Sequence, residues 1–236
     1  MSDYKIAVSN LHKNFGSKKV LQGVNIKVKK GESLVILGGS GSGKSVLIKS
    51  ICNLMESTSG SIKVDGKEMS DASSAEKDHL MSKIGYLFQN GALFDSLPIW
   101  HNVAFRLMHS EGMNKKQAHD LAIEKLALVG LEERVADLYP SELSGGMQKR
   151  AALARAIAAD PEIIFFDEPT TGLDPIMSDV VNDLIVTNSK KLGATTITIT
   201  HDMESAKKIA DKIGEITVAG NGNVIEQLKD IFSVNK

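Results

Sequence analysis

Cysteine is almost missing from this chain, since Cys52 is the single example among 236 residues. No disulfide can therefore form within the chain, which excludes a disulfide-stapled scaffold. Apolar runs of about 20 residues, the length that spans a bilayer, are missing as well. The 28 basic and 29 acidic residues leave a net charge of −1, so the overall balance gives no strong attraction to nucleic acid or to an anionic membrane. We expect a soluble cytosolic protein that would reach a membrane only by docking.

A glycine-rich stretch, "GGSGSGKS" from Gly38 to Ser45, lies between the apolar runs "LVIL" and "VLIKSICNLM". Glycine disfavours regular structure, so we predict a loop between a buried strand and a helix whose apolar stripe extends to Leu54. Backbone N–H groups bared by the glycines and by the helix N-terminus would form an anion cradle. Lys44 adds an ammonium group and Ser45 a hydroxyl ligand for Mg²⁺, which completes the pattern G-x-x-x-x-G-K-[ST] of a nucleoside triphosphate loop.

Candidate catalytic side chains follow three other strand-like runs. The run "IIFFDE" ends in Asp167, placed to hold Mg²⁺ through water, and Glu168, placed to orient an attacking water. His201 follows "TTITIT" and is placed to hydrogen-bond a γ-phosphate. Gln89 follows "IGYLF", and its neutral side chain can reach Mg²⁺ or the water. For an isolated Asp-Glu pair the alternative is a solvated strand end.

The pattern of elements changes along the chain. The first third is β-rich and contains "GSIKVDGKEM", with a turn at Asp65–Gly66. The middle is helical, with one apolar face in "NKKQAHDLAIEKLALVGL" and an alanine-rich helix before Pro161. The last third alternates strand, helix and strand, which predicts a parallel sheet with helices over both faces. The C-terminal stretch is expected to form a turn at Asn221–Gly222 and one short helix.

One further segment, "LSGGM", runs directly into "QKRAALARAIAADPEIIFFDEPTTGLDP". With the glycine-rich loop, Phe15, Gln89 and His201, it stands in the order found in the nucleotide-binding subunits of ABC transporters, and the chain resembles that family over nearly its whole length. The resemblance implies an α/β fold: a P-loop NTPase (RecA-like) parallel sheet core, an N-terminal antiparallel β subdomain and an inserted α-helical signature subdomain. It also implies a single ATP-binding cassette over residues 1–236, with a core at roughly 1–90 and 160–236 and a helical subdomain at roughly 91–159.

The resemblance implies ATP and Mg²⁺ as cofactors, with Glu168 as the general base and His201 and Gln89 as further catalytic groups. The implied metal ligands are Ser45, Gln89 and Asp167. The implied ATP-binding residues are Phe15, Val20, Gly38, Gly39, Ser40, Gly41, Ser42, Gly43, Lys44, Ser45 and Val46. The implied signature residues, which would contact the ATP of a partner chain, are Leu143, Ser144, Gly145, Gly146 and Met147. Asp174 would form the D-loop.

Partners also follow from the resemblance. Two copies would pair head-to-tail around two ATP molecules and would bind an integral membrane permease at the cytoplasmic face of the inner membrane, with no nucleic acid involved. The segment "FQNGALFDSL…NVAF" is similar to ATPases of Mla/Mce-type systems, which move phospholipids or other lipids across the bacterial envelope, and this adds an Mce-type substrate-binding protein as a further partner. We expect Phe94, Leu97 and Trp100 to form the permease-docking surface, with core packing as the alternative.

Two other functions stay open at this point. One is ATP hydrolysis for a different ABC importer or exporter. The other is a soluble ABC-type ATPase that acts on ribosomes or DNA, although such proteins usually carry two cassettes or a long coiled-coil insert and this chain shows one cassette without an insert.

Overall fold

A computed structural model describes residues 3–39, 41–218 and 224–233 of the chain. The predicted turn at Asn221–Gly222 and the loop residue Ser40 lie outside these described residues. Within them, no helix is both long enough and apolar enough to cross a membrane.

The N-terminal strands form a four-stranded antiparallel sheet with the order β2-β1-β4-β5. The strands are β1 (Tyr4–Phe15), β2 (Lys18–Lys29), β4 (Ser59–Val64) and β5 (Lys67–Glu68). Asp65 and Gly66, with φ values of 50° and 80°, make the tight turn between β4 and β5. The predicted antiparallel subdomain and its turn are therefore confirmed.

The second sheet has six strands in the order β10-β9-β3-β8-β7-β6. Its strands are β3 (Ser33–Leu37), β6 (Ile84–Leu87), β7 (Ile163–Asp167), β8 (Thr195–Thr200), β9 (Lys212–Val218) and β10 (Val224–Ser233). The five strands from β9 to β6 run parallel, as predicted, and β10 is antiparallel to β9. The short C-terminal helix is a wrong prediction. The segment pairs along the edge of β9 instead, and this pairing satisfies backbone groups that an edge strand would leave open.

The described residues include seven α-helices. They are α1 (Lys44–Ile51), α2 (Ser74–Ser82), α3 (Ile99–Ser110), α4 (Lys115–Leu128), α5 (Gly145–Ile157), α6 (Pro175–Leu192) and α7 (Met203–Ile209). Helices α3, α4 and α5 are inserted between β6 and β7. Helix α1 ends before Leu54, which is 53% exposed, so its predicted place on the apolar stripe is wrong.

The parallel sheet is buried on both faces. Alternate residues of β3 and β7, including Ile36 and Phe165, pack into one core together with the antiparallel sheet and α1. The residues between them, including Val35 and Phe166, pack into a second core with the inserted helices and α6. Burial on both faces explains why these strands read as unbroken apolar runs in the sequence. It also places the carboxyl end of β7 between the two cores.

Candidate nucleotide site

The loop between β3 and α1 exposes backbone N–H groups at the start of α1. Gly43 is the N-cap of α1, has φ +95°, and gives the helix no side-chain cap. A Cβ at this position would lie 3.1 Å from Leu21 Cδ2, and a Cβ at Gly38 would lie 2.7 Å from the carbonyl oxygen of Ile216. Glycine is therefore required at both ends of the loop. The uncapped N–H groups and the positive end of the helix dipole form an anion site.

Lys44 lies across the mouth of this loop. Its Nζ donates hydrogen bonds to the carbonyl oxygens of Gly38 (2.6 Å) and Gly39 (3.0 Å) and lies 3.8 Å from Glu168 Oε1. The side chain is nearly buried, at 7% exposure. The ammonium group is thus held beside the bare N–H groups, where a phosphate would meet both.

Two buried oxygen atoms in the same region lack a hydrogen-bond partner among the described residues. They are Ser42 Oγ and Asp167 Oδ1. The other carboxylate oxygen, Asp167 Oδ2, accepts from the Tyr86 hydroxyl at 3.4 Å. Burial raises the pKa of Asp167, the Tyr86 hydrogen bond opposes this rise, and the nearby charge of Glu168 adds to it. A buried carboxylate with a free oxygen fits a divalent cation, which would relieve this desolvation.

Glu168 is held by several contacts in an unusual backbone conformation. Its φ is +50°, and its N–H donates to the carbonyl oxygen of Ile199 at 2.9 Å. Thr171 Oγ1 donates to Oε2 at 3.1 Å, and His201 Nδ1 lies 2.8 Å from the same oxygen. Such a left-handed conformation costs roughly 1–3 kcal/mol and persists where surrounding contacts fix it, which is typical of functional positions.

A buried polar network lies behind His201. Ser205 Oγ donates to Asp202 Oδ2 at 2.6 Å and accepts from Asn182 Nδ2 at 2.8 Å. Asp202 also caps α7 by accepting from the N–H of Glu204. These contacts join α6 to the segment that carries His201, and they fix the turn on which this histidine lies.

Most of the sequence-predicted site residues converge on one open cleft of about 680 Å³. Its predicted lining residues are Phe15, Val20, Gly41, Ser42, Gly43, Lys44, Ser45, Val46, Gln89, Glu168 and His201. Sequence reasoning missed Lys18 and Lys19, which also line the cleft; the available signal was two lysines that follow the predicted aromatic Phe15 after a Gly-Ser pair. Phe15 ends β1, is 47% exposed, and carries Lys13 Nζ 5.1 Å from its ring centroid.

The signature segment and Asp174 do not line this cleft. Ser144 is the N-cap of α5 and accepts from the Met147 N–H at 3.3 Å. Asp174 caps α6 by accepting from the Met177 N–H at 3.0 Å. A Cβ at Gly146 would lie 2.9 Å from Met177 Cε, so the two segments pack against each other within one chain.

A strand, glycine loop and helix that cradle anions, with a carboxylate pair on the neighbouring parallel strand, define a P-loop nucleotide-binding protein. The family model described as "ABC transporter" matches residues 21–171. The chain belongs to the ABC transporter family, in which this domain is the ATPase cassette.

Three curated relatives illustrate the range within this family. The chain is 40% identical over 211 residues to the "Probable ribonucleotide transport ATP-binding protein mkl" of Mycobacterium tuberculosis, covering 89% of this chain and 58% of that protein. It is 41% identical over 211 residues to the intermembrane phospholipid transport system ATP-binding protein MlaF of Haemophilus influenzae, covering 89% and 80%. It is 40% identical over 225 residues to the glutamine transport ATP-binding protein GlnQ of Escherichia coli, covering 93% and 92%. The chain thus spans about 58% of the length of the mkl relatives.

Solved cassettes share the fold. The dimeric structure of the bacterial ABC transporter cassette MJ0796 aligns with a TM-score of 0.84 at 32% identity, covering 96% of this chain and 99% of that chain. A post-hydrolysis dimer of the same cassette, bound to ADP and Pi, aligns with a TM-score of 0.83. The predicted P-loop NTPase fold is therefore confirmed.

Proposed function

We propose that this chain is the ATP-hydrolysing subunit of an ABC transporter that moves phospholipid or a related lipid across the bacterial envelope through a separate membrane permease. The observation that carries the ATPase assignment is the meeting of Lys44, Glu168 and His201 at one cleft beside the bare N–H groups of α1. The lipid assignment is supported by the segment "FQNGALFDSL…NVAF" and by the 41% identity to MlaF.

In this proposal the cleft binds ATP through its phosphates first. The N–H groups at the start of α1 and the Lys44 ammonium would hold the β- and γ-phosphates. Phe15 would stack on the adenine, with Val20 beside the base or ribose, because both residues line the cleft and the Phe15 ring is half exposed. Ser40 belongs to the same proposed set.

Glu168 would act as the general base. Its Oε2 is engaged by Thr171 and His201, so Oε1, which lies 3.8 Å from Lys44 Nζ, would accept a proton from the attacking water. His201, with Nδ1 on Glu168, would hold the carboxylate in place and contact the γ-phosphate. Ser45, Gln89 and Asp167 would hold Mg²⁺, and this ion would supply charge neutralisation at the β- and γ-phosphates.

A second copy of the chain is part of this proposal. Ser144, Gly145 and Gly146 offer N–H groups at the start of α5, yet they lie outside the cleft of their own chain. Head-to-tail pairing would bring Leu143–Met147 of one copy onto the ATP held by the other, with Asp174 at the same junction. The MJ0796 cassette is dimeric in its solved structure, which supports the pairing of two copies.

We further propose that a permease binds the surface formed by Phe94, Leu97 and Trp100, which places the subunit at the cytoplasmic face of the inner membrane. Phe94 is 44% exposed, and its ring lies 4.6 Å from that of Phe105. Buried Asn102 shapes the loop, since its side chain bonds the N–H and carbonyl of Phe94 and the carbonyl of Leu97. An Mce-type substrate-binding protein remains a proposed further partner, and the division near residues 90 and 160 a proposed subdomain boundary.

The alternative function is ATP hydrolysis for another ABC importer or exporter. The 40% identity to GlnQ over 92% of that protein favours it as strongly as the MlaF match favours lipid. A soluble ATPase that acts on ribosomes or DNA is the less favoured alternative.

Purification of the tagged chain from detergent-solubilised bacterial membranes tests the proposal. We expect an integral membrane protein to co-purify, and we expect mass spectrometry to find phospholipid in excess of a mock purification. Co-purification with a polar-solute permease without bound lipid would support the alternative importer. Co-purification with ribosomes or DNA would reject a transport role.

A further inference from the structure

The loop that follows β6 rests on one face of α5, the helix that begins at the signature segment. The face consists of Lys149, Ala152 and Arg155, which recur at a spacing of three residues. Gly91 packs on Ala152, since a Cβ at Gly91 would lie 3.4 Å from Ala152 Cβ. Gly91 and Ala92 both have positive φ, of 72° and 52°. This conformation turns their carbonyl groups toward the helix.

Two cations of this face bind the loop through its carbonyl oxygens. Arg155 Nη1 donates to the carbonyl of Ala92 at 2.7 Å, and Arg155 Nη2 donates to the carbonyl of Gly91. Lys149 Nζ donates to the carbonyl of Gln89 itself. The loop is thus attached to α5 at three of its four residues from 89 to 92.

Lys149 is an unusual residue for a helix surface, because it is only 8% exposed. Burial lowers its pKa, while the charges of Asp167 and Glu168 act in the opposite direction. The Lys149 ammonium is buried near both acids and bonds the carbonyl of Gln89, the residue proposed as a third metal ligand. The binding and hydrolysis steps described above give this ammonium no role.

We propose that Lys149 is a positioning residue: it ties the backbone of Gln89 to the signature helix, so that the placement of the Gln89 side chain at the metal site depends on α5. This inference rests on the proposed contact between Gln89 and Mg²⁺. Through the same tie, a shift of α5 when the signature segment binds the partner's ATP would move Gln89.

Binding of Mn²⁺, as a stand-in for Mg²⁺, tests the inference without measuring turnover. Free Mn²⁺ is followed by electron paramagnetic resonance in the presence of a non-hydrolysable ATP analogue. We expect Lys149→Met to weaken Mn²⁺ binding by about tenfold, the lower end for residues that orient metal ligands. Loss of a cation beside Asp167 would by itself strengthen Mn²⁺ binding, so weaker binding identifies positioning and not charge.

Three companion variants sharpen this comparison. Lys149→Arg keeps a charged donor and should return Mn²⁺ affinity to within about threefold of the wild type. Arg150→Met removes a neighbouring cation of α5 that bonds the carbonyl of Gly130, so it should leave Mn²⁺ affinity unchanged. The double variant with Gln89→Ala should bind Mn²⁺ no more weakly than Gln89→Ala alone, because residues that act through one another are not additive. Affinity for metal-free nucleotide should stay within about twofold throughout.

The outcomes distinguish the positioning role of Lys149 from its premise, the proposed contact between Gln89 and Mg²⁺. If Gln89→Ala weakens Mn²⁺ binding but Lys149→Met does not, or if the two effects add, the positioning role is overturned while the proposed Gln89 contact stands. If Gln89→Ala has no effect on Mn²⁺ binding, the proposed contact is wrong and the inference falls with it. Should Lys149→Met melt too early for these measurements, Lys149→Gln retains a neutral donor and undergoes the same comparison, with an intermediate loss expected.

Discussion

At the residue scale, Lys44 offers the most direct test of the nucleotide cleft. Lys44→Ala should lower ATP affinity by about 10- to 100-fold, since a hydrogen bond to a charged group contributes roughly 1.5–3 kcal/mol. Isothermal calorimetry measures this loss. Lys19→Ala is the matched control: this lysine lines the same cleft but is exposed, so we expect a change below about threefold. Unchanged ATP affinity in Lys44→Ala would contradict the phosphate assignment.

Glu168 tests the hydrolysis step separately from binding. Glu168→Gln should reduce phosphate release by about 10²–10⁴-fold, because the amide cannot accept the proton of the attacking water. Glutamine keeps the shape of the side chain and an oxygen that Thr171 can still bond, so ATP binding should persist. ATP should then hold two copies together, which light scattering detects. Activity within about threefold of the wild type would show that Glu168 is not the base. Glu204→Gln, at an exposed position, serves as the control and should leave phosphate release unchanged.

The site residues differ in how far the sequence alone could predict them. Gly43, Lys44 and Asp167 were predictable because backbone geometry and charge demand those residue types at fixed spacings along one strand, loop and helix. Lys149 was not, because its role comes from burial against a loop 60 residues away in sequence. A lysine within a helix carries no sequence signal for such burial.

At the element scale, the sequence pattern predicted β7 but not β10 or α2. The apolar run of β7 required burial on both faces, so a parallel strand followed. The segment "VIEQLKDIF" contains residues that suit a helix. It forms a strand because it pairs with the otherwise open edge of β9. Helix α2 has no buried residue and hence no apolar stripe, and the signal that could have found it was its capping box, Ser73 with Glu76.

One ion-pair cluster joins the two sheets and predicts a pH-dependent stability. Glu162, just before β7, accepts from Lys5 of β1 at 2.5 Å and pairs with Lys83 at 2.9 Å. Hydrogen bonds from Lys5 and Lys83 lower the pKa of Glu162 to about 2. A depressed pKa means that the contribution is fully present above the unfolded value of about 4.5 and is lost as the pH falls through about 2.

Glu162→Gln should therefore lower the free energy of unfolding by about 1 kcal/mol at neutral pH, a small value because the carboxylate is 43% exposed and partly screened. Urea unfolding between pH 7 and pH 3 measures this difference, which should stay constant down to about pH 5 and shrink below it. Glu132→Gln, at an exposed pair with Arg134, is the control and should show little change. A difference that grows with acidity would reject the assignment.

At the scale of the whole molecule, the residues proposed to bind and hydrolyse ATP lie at two separate places in the chain. The cleft residues gather at the carboxyl end of the parallel sheet, whereas the signature segment begins α5 on the inserted helices. Since these two sets do not meet within one chain, the complete site of the proposal requires a second copy. The Gly146–Met177 contact and the Lys149–Gln89 hydrogen bond connect α5 of each chain to the helix that Asp174 caps and to Gln89, the proposed metal ligand.

The proposed docking surface is divided by burial. Phe94 is 44% exposed, whereas Trp100 packs against the second core and stacks on His101 with ring centroids 5.0 Å apart. Core packing, the alternative for this segment, therefore describes Trp100 better than Phe94. A test of docking should accordingly change Phe94.

Phe94→Asp should spare folding and ATP binding yet detach the permease. In the free subunit the carboxylate can reach water from a half-exposed position, but against an apolar partner surface it would be desolvated at a cost of several kcal/mol. Leu54→Asp, at an exposed leucine beyond α1, is the matched control and should retain the permease. Trp100→Ala should instead lower the melting temperature, because it empties a packed position. Pull-down of the permease and thermal unfolding decide together: a stable Phe94→Asp variant that still binds the permease rejects the docking surface, and one that melts as early as Trp100→Ala assigns Phe94 to the core.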